Sequence, residues 1–408
     1  MNQQIRLHLT WLLLLGWPSL SLSQDAHTVA RWLAPSTANP DRIQVNSYYG
    51  QYDIDGKLSG LPAPSLRGPV AEHWQVANKA NKPYRIGVIF PHLKDPYWLA
   101  INYGIAYQAQ KLGVSLDLKH PGGFRYLGKQ VRQMEELLEG GRHQGLIIGP
   151  VQFNKSKIEK MFLRFQQAGI PIVSVGADSY TPSINGKVLV SYQDAGYQAG
   201  QFIVQHSAKR TIKVAVMPGP KGSGWAPDSL VGFKLALKEL GATERVTLLP
   251  TLWGDTGDKA QRHQVKVLLK THQNIHYIVG NALAINAALT PGPDGSPAPL
   301  EEFKASHPNL QLISTYITPR VYDLIRQGKV LASPSDLMKD QGVIAMDMMV
   351  KILNGQKPGV HMPFRTGPRI PIIHQHNIQQ WDYERLFGPR DFQAIFHLPV
   401  KQLSDDPR

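Results

Sequence analysis

The sequence has no cysteine. A disulfide framework, a thiolate nucleophile and a cysteine-ligated metal are all excluded by that absence. Past the first residues there is no apolar run of about 18 to 20 residues, so no later segment reads as a membrane-spanning helix. Catalytic signatures are also missing. The 15 histidines show no HExxH spacing, and His374-x-His376 alone is weak as a metal pair. Neither Gly-x-Ser-x-Gly nor GxGxxG occurs. No catalytic residue, cofactor or metal is therefore expected, and the chain does not read as an enzyme. Negative charge is scarce too, leaving a net charge of +14. The basic residues are dispersed and gather in no arm, which favours solubility and weak attraction to acidic partners over nucleic-acid binding.

What is present begins with Arg6, His8 and the apolar stretch around Leu12 to Leu15. Ser21 and Ser23 lie three and one residues before Gln24. The pattern predicts a secretory signal peptide over residues 1–23, cleaved after Ser23, and hence an exported, periplasmic protein that does not span the membrane. Residues 24–83 are polar, contain Pro and Gly, and carry Tyr48, Tyr49 and Tyr52, predicting an irregular extension.

From Tyr84 the chain alternates regularly. Short apolar runs such as Ile86–Phe90 predict buried parallel strands, and amphipathic stretches such as 127–139 and 258–271 predict helices, several ended by glycine. Two roughly equal series follow, over residues 84–208 and 209–335, with a hinge-crossing helix and C-terminal extension over 336–408. The predicted fold is α/β, two doubly wound parallel-sheet domains with a ligand cleft between them. Right-handed crossovers place every strand-to-helix loop along one sheet edge, where such folds bind small molecules.

Those loops carry aromatics and a few carboxylates. Asp95, Tyr97 and Trp98 follow the first strand, either as ligand contacts or as a helix cap with inward-packing rings. Tyr192 follows Val188–Val190. Trp225 ends the Gly-rich loop from Gly219, which lacks the spacing of a phosphate-binding loop. Trp253 and Asp255 follow a strand expected over Val246–Leu252, and Asn281 follows one over Ile275–Val279, with a helix expected from Ile285. Tyr316 is the strongest candidate on the second domain, and Asp336 reads equally as a ligand contact or a cap. An aromatic cleft with few charges suits a compact methylated cation or dipole, since aromatic faces attract positive charge.

The run Pro91-His92-Leu93-Lys94-Asp95-Pro96-Tyr97-Trp98-Leu99 with Asn102-Tyr103-Gly104 resembles periplasmic binding proteins of the ribose type, and among them the branch that senses trimethylamine N-oxide. Met217-Pro218-Gly219-Pro220, Val231-Gly232-Phe233, Trp253-Gly254-Asp255, Tyr316 with Val321-Tyr322, and Asp336-x-Met338 with Gln341-Gly342 are similar to that branch as well. The resemblance implies a box of Tyr97, Trp98, Tyr192 and Tyr316 around trimethylamine N-oxide, with Asp95 nearby. It also implies a partner, the periplasmic domain of a membrane sensor histidine kinase heading a two-component phosphorelay. Three departures stand out. Position 192 is Tyr where that branch carries Trp, the loop from Gly222 to Pro227 diverges, and the extension before residue 84 is longer. A receptor delivering a sugar or other solute to an ABC transporter is the alternative implied by the wider class.

Overall fold

Runs of Val, Ile and Leu flanked by turn residues form the strands of this protein because a parallel sheet covered on both faces buries every side chain. A computed structural model describes residues 26–35, 40–53, 62–94, 96–151, 156–178, 181–221, 223–255 and 257–399. The expected signal peptide and Asp95 lie outside the described residues.

The chain opens with helix α1 (Ala26–Trp32) and strands β1 (Arg42–Tyr49) and β2 (Arg67–Gln75). It continues through β3 (Arg85–Ile89), α2 (Pro96–Leu112), β4 (Ser115–Lys119), α3 (Leu127–Glu139), β5 (Gly145–Ile148), α4 (Ser156–Gln167), β6 (Ile172–Val175) and β7 (Gly186–Val188). The second series is α5 (Tyr192–His206), β8 (Ile212–Met217), α6 (Trp225–Glu239), β9 (Val246–Leu248), α7 (Asp258–Thr271), β10 (Tyr277–Gly280), α8 (Ala282–Leu289), the short α9 (Pro299–Glu302), β11 (Gln311–Ser314), α10 (Pro319–Arg326) and β12 (Ala332–Pro334). Helix α11 (Met338–Leu353), β13 (Arg365–Pro368), β14 (Ile372–His374), α12 (Tyr383–Phe387) and β15 (His397–Leu398) complete it. The first sheet runs β15-β4-β3-β5-β6-β7-β13-β1-β2 and the second β14-β12-β11-β10-β8-β9. Pairing is parallel from β4 to β13 in the first sheet and from β12 to β9 in the second, while β1, β2, β14 and β15 attach antiparallel at or near the edges. The α/β architecture with two doubly wound sheets is as the alternation predicts.

Several details differ from the sequence reading. The extension before residue 84 is not irregular, because β1 and β2 form a ribbon on β13. Its anchor is Asp347 on α11, a fully buried carboxylate. That carboxylate accepts from Trp74 Nε1 (2.8 Å), Ala77 N–H (2.8 Å) and Gln108 Nε2 (3.1 Å) and pairs with Lys351 Nζ at 2.7 Å. Four donors around one buried charge replace the water it gave up. The strand expected over Val246–Leu252 ends at Leu248, since Pro250 has no N–H to give the ladder. Helix α8 begins at Ala282 rather than Ile285, with Asn281 as its cap: the side chain accepts from Leu283 and Ala284 N–H, so Asn281 serves the helix and not the cleft.

Helix α5 was expected in the first domain, but it packs on α6, β12 and β14 of the second sheet. The chain therefore leaves the first sheet at residues 189–191, where Leu189 N–H still bonds Thr366 O at 2.9 Å. It returns at residues 335–337, and α11 packs on α2 and on β5, β6 and β7. Leu337 adopts φ +46°, a left-handed conformation unusual for a branched side chain, at the point of return. The segment between β13 and β14 crosses a third time, and β15 brings the chain back to β4.

The start of α11 holds a buried amine. Lys339 is fully buried and its Nζ donates to Glu384 O at 3.1 Å. Beside it Arg385 grips Asp340 through two bonds of 2.7 and 2.6 Å. Burial pushes the Lys339 amine down to about 7 from an ordinary 10.5, Asp340 opposing and Arg385 assisting. The folded pKa lies below the unfolded one, so between pH 7 and 10.5 the unfolded chain binds more protons and folding stability rises with pH. Lys339→Met is thus expected to melt above wild type at pH 6 to 7, with the gap closing towards pH 10. Thermal melts across that range check it; a gap independent of pH contradicts the assignment.

Candidate functional site

Pro96 opens α2 in the first helical position its ring suits. The two residues after it then stand at the carboxyl edge of β3. Trp98 turns inward and is 3% exposed. Its ring tilts on Phe90 at a centroid distance of 5.1 Å and meets Tyr97 edge-on at 5.3 Å. Gly149 after β5 and Gly176 after β6 make room for it: a Cβ there would lie 2.4 and 3.2 Å from Trp98 Cη2.

Gly176 is where three aromatics meet. A Cβ on Gly176 would also lie 3.2 Å from Tyr97 Oη, and Tyr192 Oη donates to Gly176 O at 3.1 Å. The Tyr97 and Tyr192 hydroxyls are 3.4 Å apart. Tyr192 reaches this point because Ser191 caps α5, its side chain accepting from Asp194 N–H, which sets the helix entry beside the end of β7. Burial pushes both phenols well above their ordinary value, and the Asp336 carboxylate adds to the rise in each. They stay protonated at neutral pH and act as hydrogen-bond donors. Asp336 itself is 1% exposed, its backbone carbonyl accepting from Gln341 Nε2 at 2.8 Å.

The second sheet contributes a separate pair. Trp225 and Tyr316 meet edge-to-face, with centroids 5.8 Å apart and planes at 85°. Gly219, at φ +124°, has Trp225 across it, and a Cβ would lie 2.5 Å from Trp225 Cη2. Ser314 Oγ donates to Tyr316 O at 2.6 Å and pins the loop after β11. Tyr97, Trp98 and Tyr192 thus form one aromatic group, Trp225 and Tyr316 another, and Asp336 at the hinge is electrostatically close to the first. Of these candidates, Trp98 and Asp336 are the fully buried members, and Trp98 packs on Phe90 and Tyr97 from behind.

The expectation of few charges needs correction. Lys187 on β7 and Asp178 after β6 form an ion pair of 2.8 Å with both side chains 3% exposed. Tyr52, stacked on Phe364 at 4.6 Å, accepts from Lys187 Nζ at 2.9 Å. Beside Lys187 on β13 lies Arg365, 2% exposed, with Tyr48 of the extension below it. A small surface hollow there is lined by Tyr48, Leu189, Asp194, Arg365 and Ile370. Asp228, one turn after Trp225, feels both Arg365 and Asp178. A survey of strand-to-helix loops misses Lys187 and Arg365 because they sit within strands, one of them near the C terminus. Asp228 was readable, since residues three apart on a helix share a face.

Among the described residues no group of three or more metal-ligating side chains occurs. His374 and His376 instead meet edge-on, with Phe202 tilted on His374. Among those residues, too, no helix is long and apolar enough to cross a membrane.

Residues 86–357 match the model of the periplasmic binding protein domain. The chain belongs to that family. As a periplasmic binding protein it is of a binding or sensing kind, and the family indicates the periplasm. The periplasmic protein TorT of Escherichia coli (strain K12) is 27% identical over 344 residues, covering 82% of this chain and 93% of TorT. A solved ABC transporter solute binding protein from Bradyrhizobium sp. BTAi1, with bound Bis-Tris, is 28% identical with a TM-score of 0.74, covering 87% of this chain and 98% of that one. The complex of the TorS sensor domain with TorT in the presence of TMAO contains a chain 25% identical to this one, with a TM-score of 0.65, covering 77% and 99%. The chain is a TorT-like periplasmic binding protein.

Proposed function

We propose that this protein binds trimethylamine N-oxide, or a close methylated amine oxide, between the Tyr97–Tyr192 and Trp225–Tyr316 groups, and so controls a TorS-like membrane sensor histidine kinase of a two-component phosphorelay. The observation that carries the reading is the pairing of aromatic groups at the strand ends of both sheets in a chain similar to TorT along most of its length. Three methyl groups around a formally positive nitrogen gain about 0.5 to 2 kcal/mol from each aromatic face. The oxide oxygen needs a donor, which the protonated Tyr97 phenol supplies, while the Tyr192 hydroxyl is held on Gly176 O. Residues 1–23 act as the export signal. Ligand bridging the two sheets biases their closure only by its differential affinity for open and closed forms. The kinase reads the surface that closure presents.

Isothermal titration of the mature chain with trimethylamine N-oxide, with and without the kinase's periplasmic domain, tests this. Binding is expected under at least one condition, with Tyr316→Ala weakening it about 2- to 30-fold, the equivalent of one lost aromatic face. No heat and no thermal shift under either condition would overturn it.

A second reading is a solute receptor for an ABC transporter of a sugar or other small polyol. It is favoured by the likeness to the Bradyrhizobium solute binding protein holding Bis-Tris and by the buried Lys187, Asp178 and Arg365. Titration with pentoses beside amine oxides separates the two.

A further inference from the structure

Asp228 lies in the first turn of α6, three residues after Trp225, so its side chain shares the helix face of that ring. One carboxylate oxygen, Oδ2, is buried and has no hydrogen-bond partner among the described residues. A buried carboxylate oxygen without a donor is costly, and the cost falls away when the group carries a proton or meets a ligand that completes it. The charged and titratable groups facing it come from three other elements: Arg365 on β13, Asp178 after β6 and Tyr192 at the start of α5. Trimethylamine N-oxide has an acceptor oxygen and no N–H or O–H, so its oxygen can be completed only by donors from the protein.

We propose that Asp228 takes part in ligand binding as the neutral acid, donating its proton in a hydrogen bond to the oxygen of the amine oxide. This rests on the amine-oxide reading above and adds the acid that recognises the ligand's oxygen. The proton is taken up from solvent as the ligand enters, and no covalent bond changes. An O–H donor to an oxygen bearing formal negative charge makes a short, strong bond, while an ionised carboxylate in the same place repels that oxygen. The environment favours the acid. Burial pushes the group up to about 6, Arg365 pulling against it and Asp178 adding to the rise.

The sign of the pH dependence follows. A group titrating near 6 is half protonated at pH 6 and about one part in a hundred protonated at pH 8, so affinity should fall about fiftyfold over that interval. Titration calorimetry of the full mature chain with trimethylamine N-oxide at pH 6 and pH 8, in two buffers of different ionisation enthalpy, reads both affinity and proton uptake. The kinase domain is included if binding requires it. Asp228→Asn keeps an N–H donor that does not titrate, and should bind at pH 8 nearly as wild type does at pH 6. Asp228→Ala should bind weakly at both. Equal wild-type affinity at both pH values, or tighter binding at pH 8, overturns the assignment of Asp228 while leaving the amine-oxide reading intact. Absence of binding at either pH by a wild-type sample shown by thermal melt to be folded instead removes the amine-oxide reading, and this inference with it.

Discussion

Trp98→Ala is expected to destabilise the protein by about 3 to 5 kcal/mol, the cost of emptying a large aromatic site in a packed core. The ring is 3% exposed, lies against Phe90, and fills the space that Gly149 and Gly176 leave open. Glycine has no side chain to move into the vacated volume, so the cavity stays. Tyr97 also loses the edge it rests on, and the Tyr97–Tyr192 contact at Gly176 loosens with it. Urea unfolding followed by circular dichroism measures the loss. Sequence reasoning leads to another result, a folded variant that no longer responds to ligand. If Trp98→Ala unfolds at the wild-type midpoint yet loses ligand response, the indole presents a face to the ligand and the packing role assigned here is wrong. Tyr316, only partly buried, is the cleaner probe of the cleft.

Gly232→Ala should be at least as damaging. A Cβ on Gly232 would lie 1.8 Å from Gln193 O, and one on Gly196 would lie 1.8 Å from Ser229 O. Helices α5 and α6 therefore touch backbone to backbone through a reciprocal pair of glycines, closer than helices separated by side chains can approach. The obstructing atoms are main-chain oxygens, which cannot swing aside as a side-chain tip can. Separating the helices enough to admit a methyl group strips the contact that holds α5 to the second sheet. The expected cost is about 3 kcal/mol or more, at or beyond the upper end of overpacking effects. Gly113→Ala is the control: its φ is +72°, nothing lies within 4 Å of a new Cβ, and the penalty is about 1 to 2 kcal/mol of backbone strain. Comparison of the two by chemical denaturation decides the point, and equal losses would sink the close-packing account.

The same device recurs between α2 and α11, where Gly104 faces Lys339 O at 2.0 Å and Gly342 faces Ile101 O at 2.2 Å. Three of the sequence fragments that suggest the family, ending in Tyr103-Gly104, centred on Gly232, and containing Gln341-Gly342, thus include glycines that hold helices together. Their resemblance reports how the fold is packed more than what it binds. Similarity in such fragments can persist while the ligand changes, so the ligand has to be argued from Tyr97, Tyr192, Trp225, Tyr316 and Asp228.

The sequence by itself determined the elements. Strand and helix alternation, the helices over 127–139 and 258–271, and the placement of aromatics at strand ends all follow from local periodicity and chain stops, which depend on neighbours three or four residues away. Only the tertiary structure decided which sheet each element joins. An amphipathic helix declares that one face is buried but not what covers it, so α5 read as part of the first domain and packs on the second. In the β1–β2 ribbon β1 buries the alternate residues Ile43, Val45 and Ser47, but β2 is largely exposed and lacks that alternation, and the ribbon's place is set by partners such as Asp347, some 270 residues away. Lys187 and Arg365 come side by side, and Arg365 within reach of Asp228, through pairing between distant strands, and no local pattern encodes that meeting.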